Sequence, residues 1–298
     1  MELRHIRYFL AVAEERNFTR AAARVGIGQP PLSQQIRDLE REVGALLFRR
    51  VPSGAELTEA GRAFQEEAMT ILRHAEQAKT AARRAARGET GTLRVGFTSS
   101  AAFNPIVASA IRAFRRAYPG VALVLEEANT LRLLERLEGG ELDGVFIRPG
   151  RTDPEGVRLY RLGEEPMLIV MPSNHPLASR RRLPLSALSG ESFVLFPRAV
   201  GLSLYDEVVS ACQRVGFEPV LGQEAPQISS VVNLVAAELG VSVVPASISQ
   251  LKVAGVEYLG IEGDAPLARL ALATRRDERS IAVKNFTALV AAEHRDVV

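Results

Sequence analysis

Apolar residues recur at Leu3, Ile6, Phe9 or Leu10, and Ala13, spacings of three and four that predict an amphipathic first helix. Asn17 is placed to cap a second, short helix over 18–25, where Ala21 and Ala22 are small enough for close packing. Gly26-Ile27-Gly28 makes a turn. A third helix opens at Gln29-Pro30, where proline is tolerated because first-turn N–H groups have no partner within the helix. Leu32, Ile36, Leu39 and Val43, spaced four, three and four, predict its buried stripe, with Pro30, Ser33, Gln34 and Arg37 on the other face. Leu46-Leu47-Phe48 returns to the core, and Val51-Pro52-Ser53-Gly54 reads as a turn between two short extended pieces.

Thr58-Glu59 then offers a cap and an acidic first turn to a helix running to about Arg87, roughly 30 residues and about 45 Å long. Along it Phe64, Ala68, Ile71, Ala75, Ala78, Ala82 and Ala85 alternate spacings of four and three, the seam of a coiled coil. Such a seam needs a partner and predicts a homodimer; the alternative is a helix packed back on its own chain. The pattern breaks at Arg87-Gly88-Glu89-Thr90-Gly91. Beyond the break, apolar runs at 93–97, 121–125, 144–147, 167–171, 193–196 and 241–244 predict buried strands. Helical stretches around 105–118, 130–139, 203–215 and 227–239 alternate with them, which argues for a mostly parallel α/β sheet.

Charge divides along the same line. Residues 1–88 carry 15 Lys or Arg against 11 Asp or Glu, and the remaining 210 carry 22 against 24. The positive excess lies on the N-terminal segment, where a polyanionic partner is expected. At 298 residues the chain suggests two domains or three structural units. One cysteine, Cys212, excludes an intrachain disulfide and any oxidant sensor built on an intramolecular cysteine pair. The first 30 residues lack the apolar core and cleavage site of a signal peptide, and no apolar run approaches the roughly 20 residues that span a bilayer. A cytoplasmic protein without membrane contact is expected. His5, His74, His175 and His294 are scattered without metal-ligand spacing, and no P-loop, dinucleotide fingerprint or nucleophile elbow occurs. No cofactor, metal or catalysed reaction is expected.

Two short helices joined by a tight turn, the second polar over its N-terminal half, make a helix-turn-helix. Gln pairs bidentately with adenine, and Arg with guanine or phosphate. An ordinary solvated helix face would carry similar residues. The continuation favours DNA, because Arg49 and Arg50 fall where a basic β-wing would place them beside the groove. The segments FLAVAE (Phe9 to Glu14), NFTRAA (Asn17 to Ala22), QPPLSQQI (Gln29 to Ile36), Leu39-Glu40, Leu47-Phe48-Arg49-Arg50 and LTEAG (Leu57 to Gly61) resemble the DNA-binding domain of LysR-type transcriptional regulators, without a gap. One departure is Gly28, where that family usually has Ser; glycine is a weaker N-cap by only a few tenths of a kcal/mol, but offers no hydroxyl to a phosphate. The residues assigned to DNA contact are Gln29, Pro30, Pro31, Ser33, Gln34, Arg37, Arg49, Arg50 and Ser53.

The resemblance covers the whole chain. It implies an α/β protein with a winged helix-turn-helix over 1–58, a coiled-coil linker helix over 59–88 and an effector domain over 91–298. In that family the last resembles a type 2 periplasmic binding protein, here with lobe I over 91–163 and 268–298 and lobe II over 166–262. Open α/β sheets bind ligands outside the carboxyl ends of their strands. Thr98-Ser99-Ser100 and Asn129-Thr130 follow strands and precede helices, a favourable anion position whose bland alternative is simple helix capping. Arg148 follows another strand and is expected to pair with a carboxylate, or else to form a surface or inter-lobe ion pair. Phe196-Pro197 and Val244-Pro245 are expected to supply the opposing wall. Within the family, RAARGETGTLRVGF, LFPR and VVPAS resemble regulators of aromatic-acid breakdown, which respond to muconate-like carboxylates. The implied partners are double-stranded DNA, a small organic acid, further copies of the chain up to a homotetramer, and RNA polymerase. Two other readings are a solute-binding protein with an N-terminal oligomerisation arm, which would require export, and a non-specific architectural DNA binder, which would lack a ligand cleft.

Overall fold

A computed structural model of the chain describes residues 1–52, 54–150 and 152–297, with side chains as far as Glu293. It divides into two compact units, Met1–Arg84 and Ala85–Val298.

The first unit begins with helices α1 (Leu3–Glu15), α2 (Phe18–Val25) and α3 (Gln29–Val43). An antiparallel hairpin of β1 (Phe48–Val51) and β2 (Gly54–Leu57) follows, then the 28-residue α4 (Glu59–Ala86). Local chemistry sets these bounds. Asn17 Oδ1 accepts from the N–H groups of Thr19 and Arg20 at 2.9 and 3.0 Å, starting α2. Gly26 ends it at φ +75°, a left-handed conformation that glycine adopts without penalty. Thr58 Oγ1 accepts from Gly61 N–H at 2.9 Å and so caps α4. Ile6, Phe9 and Val12 form the buried stripe of α1, and Leu32, Ile36 and Leu39 that of α3. Val43, expected in this stripe, is 40% exposed because it ends the helix beyond the core.

Phe9 packs against Phe48 and Phe64 with ring centroids 5.1 and 4.9 Å apart, which ties α1, β1 and α4 together. This contact changes the reading of the long helix. Phe64, Ala68 and Ile71 pack on the core of their own unit, so the first half of the seam is used within the chain. Ala78, Ala82 and Ala85 remain exposed.

In chain order the second unit runs β3 (Gly91–Phe97), α5 (Ser99–Ala102), α6 (Pro105–Ala117), β4 (Val121–Glu127), α7 (Thr130–Glu138), β5 (Gly144–Ile147) and β6 (Val157–Pro172). It continues β7 (Arg182–Pro184), β8 (Ser192–Leu195), α8 (Leu202–Arg214), β9 (Val220–Glu224), α9 (Ile228–Ala236), β10 (Ser242–Pro245), β11 (Val256–Glu262), β12 (Leu267–Arg275) and α10 (Ile281–Val297). Lobe I is a parallel set, β4-β3-β5, covered on both faces. The run Val145-Phe146-Ile147 shows why: Phe146 joins the cluster with Phe114 and Phe286, while Val145 and Ile147 join the one with Leu133 and Leu137. A strand buried on both faces must be apolar throughout. Lobe II has its own core around Phe193, Val208 and Val231.

The expectation of a mostly parallel sheet fails where the chain crosses between lobes. The 16-residue β6 pairs antiparallel with β12 over Val157–Pro166 and with β10 and β11 from Met167 onward. β12 returns antiparallel to both β5 and β6. A chain that leaves a lobe and re-enters it does so in opposite directions, so the crossing strands cannot be parallel to each other. Gly163 lies at φ +100° beside the register shift between Arg269 and Ala271, which puts a bulge in the crossing ribbon.

Candidate functional site

Two surfaces hold the residues singled out in the sequence, one in each unit. On α3, Pro30, Pro31, Gln34 and Arg37 are exposed. Ser33 is only 5% exposed and accepts a hydrogen bond from Gln29 Nε2 at 2.8 Å, so the two side chains satisfy each other. Ser33 follows Leu32 by one residue, about 100° around the helix, and its short side chain is covered where a longer one would reach out. Its placement among outward-facing residues is therefore corrected. On the hairpin, Arg49 makes a two-pronged pair with the cross-strand Glu56 at 3.0 and 2.7 Å. Arg50 points to the other face of the strand, its guanidinium 5.5 Å from the Phe18 ring centroid. Ser53 lies outside the described residues. Glu40 was not assigned a role in the sequence, yet its Oε1 accepts from the N–H groups of Leu47 and Phe48 at 2.8 and 3.1 Å. It thereby docks the hairpin on α3, and an acidic residue spaced just before an extended piece was the available signal.

In the second unit a cavity of about 220 Å³ lies between the lobes. From lobe I it is lined by Thr98, Ser99, Ser100, Glu127, Asn129, Thr130 and Arg148, and from lobe II by Phe196, Val200 to Leu204 except Leu202, and Pro226 to Ile228. Thr98 caps α5, its Oγ1 accepting from Ala101 N–H at 3.3 Å, and Asn129 Oδ1 caps α7 by accepting from Arg132 N–H at 2.9 Å. The hydroxyls of Ser99 and Thr130 have no partner among the described residues.

Pro197 and Pro245 do not line this cavity. Pro245 is buried in β10 opposite Met167, and Pro197 accepts from Val200 N–H at 2.8 Å in the turn before α8. Beside Phe196, the lobe II wall comes from the residues around the starts of α8 and α9. The rule that found Thr98–Ser100 and Thr130, looking just before a helix, would have found Val200–Leu204 and Pro226–Ile228 as well.

Arg148 requires the largest correction. It is 3% exposed, and its Nη2 pairs with Glu165 Oε1 at 2.7 Å and donates to Ser100 O at 3.0 Å. The carboxylate of Glu165, on the crossing strand β6, also accepts from Asn104 Nδ2 at 3.0 Å, Ser247 N–H at 2.6 Å and the Ser247 hydroxyl at 3.1 Å. The charge that was to meet a carboxylate ligand is thus already met, inside the hinge between lobes. Burial lowers the Arg148 pKa from its ordinary value, and Glu165 opposes that shift. With the Arg148 charge paired to Glu165 and Glu127 on the wall, the cavity presents hydroxyls and helix starts rather than a free cation.

Cys212 is buried, and burial pushes its thiol up to about 11, leaving it protonated and unreactive near neutral pH. Among the described residues no group of His, Cys, Asp and Glu could hold a metal ion, and no helix is long and apolar enough to cross a membrane.

Residues 3–62 match the bacterial regulatory helix-turn-helix protein model of the lysR family, and residues 86–295 the LysR substrate binding domain. The chain is 42% identical to the HTH-type transcriptional regulator BudR of Raoultella terrigena over 96% of its own length and 99% of that protein's. It is 36% identical to the HTH-type transcriptional regulator CatR of Pseudomonas putida, covering 98% and 99% of the two chains. In structure it resembles full-length CbnR complexed with its target DNA, with a TM-score of 0.86 and 27% identity over 99% of this chain and 100% of that one. The chain belongs to the LysR family of transcriptional regulators, which are not enzymes: a helix-turn-helix DNA-binding protein with a substrate-binding effector domain.

Proposed function

We propose that a small organic acid binds between the lobes and biases the DNA-bound arrangement of this regulator. The observation that carries the reading is the convergence of Ser99, Thr130 and the starts of α7, α8 and α9 on one cavity. Unpaired N–H groups at helix starts favour anions, and the open hydroxyls of Ser99 and Thr130 supply directed donors. Arg148 serves the hinge in this reading and not the ligand. An effector acts only by binding the two arrangements with different affinity, and a ligand that bridges both lobes does so. The division at 1–58, 59–88 and 91–298, with lobes over 91–163 plus 268–298 and over 166–262, follows the same reading, as do a cytoplasmic location and RNA polymerase as a further partner. The exposed half of α4, around Ala78, Ala82 and Ala85, supports self-association into dimers and a homotetramer.

A thermal-shift screen of the full-length chain against aromatic, aliphatic and dicarboxylic acids tests the effector. A bound acid at 100 times its Kd adds about 2.7 kcal/mol to the transition of the effector domain. Thr130→Val and Ser99→Ala are expected to remove most of that shift. Equal stabilisation of both variants would sink these contacts, and silence across the panel would sink the organic-acid class.

For DNA, the probe is a duplex selected from a random-sequence pool by the full-length chain. Gln34→Ala and Arg37→Ala are each expected to weaken its binding by about 1–3 kcal/mol. With about 6–10 phosphates neutralised by a dimer, affinity falls on the order of 10³–10⁵-fold between 50 and 200 mM salt. Unchanged affinity in both variants would remove the recognition role of α3, and a flat salt response would remove the phosphate contacts.

A further inference from the structure

Four side chains on the exposed face of α3 form one hydrogen-bonded row. Arg37 Nη2 donates to Gln34 Oε1 at 2.7 Å, and Gln34 Nε2 donates to Asp38 Oδ1 at 2.9 Å. Arg41 Nη1 donates to the same Asp38 oxygen at 3.0 Å. Steps of three and four residues bring these side chains together on one helix face. Asp38 supplies the single negative charge of the row.

A carboxylate is an unfavourable group on a surface that meets phosphates, because its charge repels every duplex regardless of sequence. What it supplies is orientation. A glutamine amide has one end that accepts and one that donates, and a flip exchanges them. With Arg37 donating to one end and Asp38 accepting from the other, a flipped amide would face donor with donor and acceptor with acceptor. Gln34 is left with one lone pair and one N–H in a fixed order, the pairing that adenine N6 and N7 satisfy. Asp38 also holds the Arg41 guanidinium, which would otherwise be free to meet a phosphate of any sequence.

We propose that Asp38 is a specificity-determining residue: it fixes the orientation of Gln34 for base reading, while its charge lowers the affinity of the helix for DNA of every sequence. Specificity is a difference of affinities, so a repulsion common to every duplex cancels from it, and the discrimination comes from the fixed order of donor and acceptor on Gln34. The inference rests on α3 being the recognition helix.

The test uses the full-length chain, with a duplex selected by the wild type and a shuffled duplex of equal composition, titrated by fluorescence anisotropy. Asp38→Asn drops the charge and keeps an oxygen that can accept from Gln34 and Arg41. Asp38→Ala drops both, and alanine favours the helix, so folding is not at risk. Both variants are expected to bind the shuffled duplex about threefold or more tightly. Only Asp38→Ala is expected to lose discrimination, about tenfold, with the preference relaxed at one base pair per half-site in a repeated selection. If Asp38→Ala keeps the wild-type ratio and the wild-type selected sequence, orientation by Asp38 is overturned. Wild-type affinity of both variants for the shuffled duplex overturns the charge effect. Gln34→Ala and Arg37→Ala run alongside: if neither weakens binding to the selected duplex, the recognition helix itself is wrongly assigned, an outcome distinct from failure of Asp38.

Discussion

Replacing Glu165 by alanine is expected to destabilise the effector domain by about 3–5 kcal/mol, lowering its melting transition by roughly 10 °C. The reason is what the substitution leaves behind. The Arg148 guanidinium, 3% exposed, would lose its 2.7 Å counter-charge while still enclosed, and Ser247 N–H would lose its acceptor at 2.6 Å. An unpaired buried charge costs far more than a surface pair contributes. The complementary variant separates that penalty from the worth of the pair. Arg148→Met with Glu165→Leu replaces both charges by apolar groups of similar size and is expected to recover the part of the loss owed to the unpaired charge, while Ser247 N–H stays without its acceptor. Scanning calorimetry of the three chains decides the matter. If Glu165→Ala melts within about 1 kcal/mol of wild type, the pair is not a structural element of the hinge.

The second large effect is expected at Gly54, the first residue of β2. Its φ is +138°, and a Cβ built there would lie 2.1 Å from the carbonyl oxygen of Arg16. That oxygen already accepts from Ala55 N–H at 2.8 Å, so the turn after α1 and the start of β2 are held in backbone contact. Gly54→Ala therefore combines strain of about 1–3 kcal/mol with a clash that only backbone movement relieves. We expect a loss of about 3 kcal/mol or more in the DNA-binding unit and weaker binding to the selected duplex, because the hairpin carrying Arg49 and Arg50 must shift. Gly26→Ala is the control. Its φ of +75° carries a left-handed penalty, but nothing lies within 4 Å of the new Cβ, so a cost of about 1 kcal/mol is expected. Equal melting of the two variants would show that the close approach of Arg16 and Gly54 contributes nothing.

Much of the DNA-binding unit was legible in the chain because its determinants are local. The Asn17 and Thr58 caps, the glycine at 26 and the Leu32-Ile36-Leu39 stripe each act within a few residues, so helix periods and boundaries can be read directly. The lobe I side of the cavity was legible for the same reason: a strand followed by hydroxyl residues and a helix start is a short-range pattern, and Thr98–Ser100 and Thr130 lie where it ends.

What the tertiary structure alone decided lies at longer range. Ser33 looked outward by helical phase until Gln29 folded over it, and Phe64 looked like part of a dimer seam until Phe9 met its ring. Arg148 is answered by Glu165 at a distance of 17 residues and by the carbonyl of Ala268 at 120, and Ser247 reaches the same carboxylate across 82. Periodicity carries no information about such partners. The apolar run marks only 167–171 as a strand, yet β6 begins at Val157, and its neighbours change from β12 to β10 and β11 at Met167. Whether a buried arginine is a ligand anchor or a hinge pin depends on which carboxylate the crossing strands bring beside it, and that is settled only when strands far apart in sequence pair.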